Sequence, residues 1–255
     1  MKLKSKIFTS LALGTAVFSF SSCSDSYLDE HIYSNYGANV TDTEAKILGL
    51  HSRVGAILGY SDQQGYAGIW QDGTDVGAPG DIQGTERAFY KYSELNSEHG
   101  GIQYLWNVLW KVIAAANIII NDEENGTDAQ RAEARFFRAW AYNQLVTGWG
   151  DLPLITEPIT TPRTDFTRQP KEQIDALIEE DLNFAVSNLP DVKNLVKEGR
   201  ISKDAARMLA AEAFLRIGYF HNDNSYYKKA EDVVSPVISE GNYNLVSERY
   251  GKFTE

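Results

Sequence analysis

From Thr41 onward, apolar residues recur three and four positions apart over most of the chain, the period of a helix with one buried face. Thr41 and Asp42 can cap a first helix whose Ile47, Leu50, Val54, Ile57 and Leu58 share one side, and Gly59 stops it. A second helix runs from about Gly101 to Ile120, with Leu105, Leu109, Val112, Ala116 and Ile120 in one stripe. Thr127 and Gln130 form a capping box for a third, which carries Ala132, Phe136, Phe137, Trp140 and Leu145 and ends at Gly148-Trp149-Gly150. After a loop holding Pro153, Pro158 and Pro162, Pro170 opens a fourth helix. Its stripe is Ile174, Leu177, Ile178, Leu182 and Ala185, and Pro190 ends it. Ser202 caps a fifth, Lys203 to about Phe220, and a sixth spans about Ser225 to Ser239, with Pro236 distorting its last turn and Gly241 as its stop.

Few segments alternate with the period of a strand, so the expected fold class is all-α. The fifth helix carries Ala205, Ala206, Ala210, Ala211 and Ala213, small residues that let neighbouring helices approach closely. Arg135-Phe136-Phe137 with Ala139, Ala141 and Tyr142 aligns with Arg207-Met208-Leu209 and Ala211, Ala213 and Phe214, 72 residues later. That offset is about twice the ~34-residue tetratricopeptide unit, which suggests stacked helical hairpins of that kind. The stretch from Gly59 to Glu98 breaks the pattern. It has no sustained period, six glycines between Gly65 and Gly84, and the aromatics Tyr60, Tyr66, Trp70, Phe89, Tyr90 and Tyr92. Irregular loops this long are usually functional or disordered, and disordered segments seldom carry so many aromatics.

The first 22 residues differ again. Lys2, Lys4 and Lys6 precede an apolar run from Ile7 to Phe20, then Ser21 and Ser22 lead to Cys23, the chain's one cysteine. A basic head, a short apolar core and small residues are the parts of a secretory signal, and the run is too short for a comfortable membrane span. A Cys at that boundary resembles a bacterial lipoprotein signal, with Cys23 the acylated first residue of the mature chain; Phe20 stands where such signals usually have Leu. The alternative is a simple cleaved signal with an incidental Cys. Residues 23–40 read as a tether, leaving 41–255 as the helical domain. Asp25, Asp29 and Glu30 resemble the acidic surface-export signals of Bacteroidetes lipoproteins.

Composition sharpens the picture by exclusion. The 255 residues hold 24 Lys+Arg against 35 Asp+Glu, a formal charge of −11. Losing residues 1–22 removes three lysines and no acid and takes the charge to −14. Such a chain lacks the electrostatic footprint for nucleic acid. It also needs an acyl anchor to stay on an anionic bilayer. One Cys forms no intrachain disulfide, and with four scattered His it makes a structural zinc site unexpected.

Several blocks in order resemble the SusD/RagB family of surface nutrient-binding lipoproteins. They are YLDE after the Cys, LWNVLWKVIAAANIII with Trp106 and Asn117, and AEARFFRAWAYNQLVTGWGDLPLI with Glu133, Arg135, Arg138, Ala139, Gly150 and Pro153. IEEDLNFAVSNLP, GRISKDAARMLAAEAFLRIGYF and AEDVVSPVISEGNYNLV follow. The resemblance implies a tetratricopeptide-like helical core, an outer-membrane location facing the exterior, an oligosaccharide or other nutrient as ligand, and a TonB-dependent, SusC-like transporter as partner. The family is usually about twice this length, so the resemblance also implies that these residues correspond to its N-terminal half, with part of the ligand site supplied by the other.

Sugar recognition needs flat aromatic faces beside acids, amides or Arg that bond paired hydroxyls. Tyr66, Trp70, Asp72, Asp75 and Arg87 in the glycine-rich loop are the candidates, and the competing reading is that the aromatics pin the loop to the helices. Trp106, Trp110 and Trp140 lie on helical stripes and are expected in the core, while Trp149 sits in a turn where either fate is open. Arg135, Arg138 and Glu133 are expected to pair structurally. Glu179, Glu180 and Asp181 are consecutive and fan around a helix, so they make no facing carboxylate pair for glycoside hydrolysis. No HExxH, GxSxG or phosphate-binding loop is present, and no cofactor or enzymatic activity is expected. Asn121 to Gly126 matches a calcium loop only in part, since Ala132 stands where a bidentate Glu belongs; a solvated turn is expected. The functional expectation is a non-enzymatic glycan binder. The second reading is a helical scaffold for peptide or protein with no sugar role.

Overall fold

A computed structural model of the protein describes residues 42–58, 66–71, 73–75, 77, 87–92, 95–195, 197, 199–240 and 242–243, apart from the side chains of 66–68 and 87. The signal, tether and Cys23 readings, with Gly59 and Gly241, lie outside the described residues. Eight α-helices are described: α1 (Thr43–Leu58), α2 (Tyr66–Gln71), α3 (Arg87–Lys91), α4 (Gly100–Ile120), α5 (Asp128–Trp149), α6 (Lys171–Asn188), α7 (Lys203–His221) and α8 (Ser225–Ser239). Among the described residues there is no strand beyond two isolated bridges. The all-α expectation holds. The stretch read as irregular carries α2 and α3, which are too short to show a helical period in sequence.

Each helix from α4 to α8 packs on the next, and α1 lies against α4 and α5. Leu105, Leu109, Val112, Ile113 and Ala116 of α4 are essentially fully buried, as are Ile174, Ile178 and Leu182 of α6. Each large side chain of this kind contributes about 1.5–3 kcal/mol on burial. α4 is the one described helix long and apolar enough to cross a membrane, and its buried stripe faces α1 and α5. The 72-residue repeat is visible as burial. Phe137 and Leu209, Ala139 and Ala211, Ala141 and Ala213, Tyr142 and Phe214 are buried pair by pair on α5 and α7. Two stripe residues depart from expectation. Leu58 is 54% exposed although its neighbour Ile57 is buried, and Ile120 is half-buried; each is the last residue of its helix. The tryptophans at 106, 110 and 140, expected in the core, pack against its margin half-buried.

The ends follow local chemistry. Thr127 Oγ1 accepts the Gln130 N–H, and the Gln130 side chain accepts the Thr127 N–H at 3.0 Å, closing the predicted capping box. Ser202 Oγ accepts the Ala205 N–H. Pro170 is the residue before α6, and Asp151 Oδ1 accepts the first helical N–H, that of Lys171, at 3.0 Å. Gly150 ends α5 at φ 70, ψ −123, a conformation open to glycine alone at low cost. Gly218 lets α8 start close against α7: a Cβ there would lie 3.0 Å from the Tyr227 ring and 3.1 Å from the Asp223 carbonyl.

The segment 151–170 is closed at its base by two backbone hydrogen bonds between Leu152 and Gln169. Buried polar groups of α4 and α5 pin its backbone. Asn117 Nδ2 donates to the Ile155 carbonyl at 3.0 Å, and the Tyr142 hydroxyl accepts the Ile155 N–H at 2.8 Å. Burial pushes that phenol up to about 12. Asn121 Nδ2 bonds the Thr156 carbonyl, and the Asn121–Gly126 segment is a turn between α4 and α5 in which Asp122 pairs with Lys46. Among the described residues no cluster of three His, Cys, Asp or Glu is placed to hold a metal.

Candidate functional site

Of the residues expected to bind sugar, Trp70 has the most informative position. It lies half-buried on α2, near Gly148 of α5, where a Cβ would sit 3.9 Å from its ring. It lines two cavities. One, of about 330 Å³, is apolar and aromatic, with Phe89, Tyr92 and Trp149 in its wall. The other, of about 300 Å³, is polar, with Asn143, Gln144 and Thr147 of α5 and Glu212 and Arg216 of α7. Asp75 sits in an exposed turn and lines neither. Tyr66 and Arg87 open α2 and α3, but their side chains lie outside the described residues, as does all of Asp72.

The polar cavity is held in shape by its own bonds. Arg216 Nε donates to Asn143 Oδ1 at 2.7 Å, and a second guanidinium nitrogen donates to Asp175 Oδ1 at 2.5 Å. The other Asp175 oxygen meets His221 Nε2 at 2.7 Å. Asn143 Nδ2 reaches Glu212 Oε1 at 3.4 Å, and Thr147 Oγ1 donates to the Asn143 carbonyl. The lining thus gathers an indole, two amides, a carboxylate and a guanidinium, the functional groups that bind sugar faces and vicinal hydroxyls. Asn143, Gln144, Glu212 and Arg216 were not expected from the sequence. The available signal is that Asn143 and Gln144 are polar residues that interrupt an apolar stretch, and residues 141–146 are all buried. Beyond the cavities an aromatic row continues. Trp149 and Trp106 have ring centroids 5.4 Å apart, Trp106 and Trp110 5.5 Å, and Trp110 and Tyr142 5.8 Å.

The charged residues of the third-helix block pair structurally, as expected. Arg138 grips Asp181 of α6 through Nε at 2.7 Å and a second nitrogen at 2.8 Å, and donates to Asn117 Oδ1 at 2.8 Å. Burial pushes the Asp181 carboxyl above its usual range, against the pull of Arg138 and Arg135. Arg135 bonds Asp181 and Glu180 and lies over the Phe184 ring. Glu133 accepts from Arg200 and from the Ile201 N–H and meets His51 Nε2 at 2.5 Å. Burial alone would raise the Glu133 carboxyl, but His51, Arg200 and the Ile201 N–H outweigh it and hold it below its ordinary value. Glu179 points away from its neighbours, to Tyr226 and Lys229, whereas Glu180 and Asp181, expected to fan apart, share Arg135, with Asp181 also held by the buried Arg138.

Residues 26–215 match the SusD-like family described as "Starch-binding associating with outer membrane". SusD-like protein P25 of Formosa agariphila is 27% identical over 194 residues, which is 69% of this chain and 36% of that relative. A SusD homolog from Bacteroides thetaiotaomicron shares the fold at a TM-score of 0.67 and 21% identity, over 83% of this chain and 43% of that one. A laminarin-binding SusD-like protein does so at 0.64 and 22%, over 76% and 42%. The chain spans less than half the length of the curated relatives it matches. With well over half its residues matched, and its helices arranged as in these solved structures, this protein belongs to the SusD-like family.

Proposed function

We propose that this chain is a non-enzymatic, cell-surface glycan-binding lipoprotein that docks oligosaccharide at Trp70 and passes it to a TonB-dependent, SusC-like transporter in the outer membrane. The carrying observation is the cavity of about 300 Å³ lined by Trp70 together with Asn143, Gln144, Glu212 and Arg216. Its volume is at the small end of ligand pockets, about 300–1,000 Å³, which suits the end of a glycan rather than a long stretch. The family description supports a starch-like ligand and an outer-membrane setting, and one structural neighbour binds laminarin. In this reading residues 1–22 are a lipoprotein signal, Cys23 carries the acyl chains, and 23–40 is the tether. Tyr66, Asp72, Asp75 and Arg87 are proposed to complete the sugar contacts from the glycine-rich loop.

The test is calorimetric titration of the full chain in detergent with laminari- and malto-oligosaccharides and a wider glycan panel, alongside Trp70→Ala. Binding is expected, and the substitution should weaken it at least about tenfold, since an aromatic platform in a site contributes on the order of 1 kcal/mol beyond the area it buries. Heat from peptides and none from any glycan would instead favour a helical scaffold for polypeptide.

A further inference from the structure

We infer that the polar cavity beside Trp70 is a charge filter that accepts uncharged sugar residues and repels uronic-acid or sulfated ones, with Glu212 as the specificity-determining residue. The inference rests on the glycan-binding reading of this cavity and extends it to the class of sugar taken.

The argument is one of charge balance. Among the described residues, Glu212 and Arg216, one helical turn apart on α7, are the two charged side chains in the lining. Arg216 is committed elsewhere. Its guanidinium bonds Asp175 at 2.5 Å and Asn143 at 2.7 Å, and only 11% of the Arg216 side chain and 4% of that of Asp175 is exposed. A guanidinium and carboxylate this close and this dry act on a ligand as a dipole, with little net positive charge left to attract an anion. The Arg216 charge is thus already matched by Asp175, and drawing the guanidinium away toward a ligand anion would leave that buried acid with His221.

Glu212 is the opposite case. It is exposed, and among the described residues it makes no ion pair; its contact is the 3.4 Å bond from Asn143. It therefore presents a carboxylate that accepts hydroxyl hydrogen bonds well and meets a ligand carboxylate or sulfate as a like charge. The chain as a whole, at −11 formal charge, adds repulsion of the same sign at long range. For charges about 5 Å apart at a half-open surface, Coulomb's law puts the discrimination on the order of tenfold.

The experiment takes whichever neutral oligosaccharide in the panel binds the full chain best and compares it with its C6-carboxylate form and the methyl ester of that form. The ester restores neutrality while keeping the added bulk. The expected result is that the ester binds about tenfold tighter than the carboxylate, and that Glu212→Gln shrinks this ratio toward one. Raising the salt to about 1 M, where the screening length is about 3 Å, should shrink it in the unaltered chain as well. Equal binding of carboxylate and ester, or a ratio that Glu212→Gln leaves unchanged, overturns the charge filter while leaving Trp70 as a sugar platform. Absence of glycan binding, or binding that Trp70→Ala does not touch, overturns the site reading itself and the filter with it.

Discussion

Replacing Arg138 by Met isolates the buried ion pair that joins α5 to α6. The side chain makes two bonds to Asp181, at 2.7 and 2.8 Å, and one to Asn117 at 2.8 Å, and Asp181 is fully buried. Water cannot reach the carboxylate to replace what is lost. Breaking a buried pair from one side costs about 3–5 kcal/mol. Arg135 stays 2.9 Å from Asp181, so the low end, about 3 kcal/mol, is expected. For a domain of this size that corresponds to a fall of about 6–12 °C in Tm. Burial already pushes the Asp181 carboxyl upward with both arginines in place, and losing one pushes it further. An acid raised in the folded state favours folding as the pH falls through its folded value, because protonation there removes an uncompensated buried charge. The defect of Arg138→Met should therefore be smaller at mildly acidic pH than at neutral pH. Adding Asp181→Leu should recover most of the loss, because an apolar pair of similar volume replaces the charges. Arg135 is not stranded in that double variant, since Glu180 and the Phe184 ring remain. Urea unfolding followed by far-ultraviolet circular dichroism measures all three. A loss below about 1 kcal/mol for the single variant, or a double variant no better than it, would refute the reasoning.

Two further outcomes follow from the helix ends and the second ion network. Gly150→Ala forces a side chain onto φ 70, ψ −123 and should cost about 1–3 kcal/mol, read as a lower urea midpoint with an unchanged slope. Glu133 is held below its ordinary value of 4.5, so its stabilisation is present above that pH and lost as the pH falls through the lowered folded value. Glu133→Gln should flatten the acid side of the stability profile below about pH 5, and an unchanged acid limb would count against the network.

Most of the helical framework was legible because its signals are local. The Thr127–Gln130 box and Ser202 fix ends through bonds within four residues, the prolines mark ends because they cannot donate in a helix interior, and the stripes fix faces. The 72-residue repeat was legible because four of its paired positions are buried on both α5 and α7 and so keep apolar residues. What escaped was pairing between helices. In an antiparallel pair, residue partners mirror each other about the connecting loop, so partners cannot be assigned until the loop's path is known. Between α5 and α6 that path is the 151–170 segment, which is set by Asn117, Tyr142 and the Leu152–Gln169 bonds rather than by any turn motif. Arg138 could be read as paired; that Asp181 of the acidic triplet is its partner could not. The site fails in the same way. Trp70 stood out as an aromatic in a glycine-rich stretch, but its cavity draws Asn143 and Arg216 from helices 73 residues apart in sequence. The useful signal was the interruption of an apolar run by Asn143 and Gln144. Buried polar side chains need partners, so such an interruption marks where a helix face meets either a neighbouring charge or a ligand, and here it meets Arg216 at the rim of a cavity.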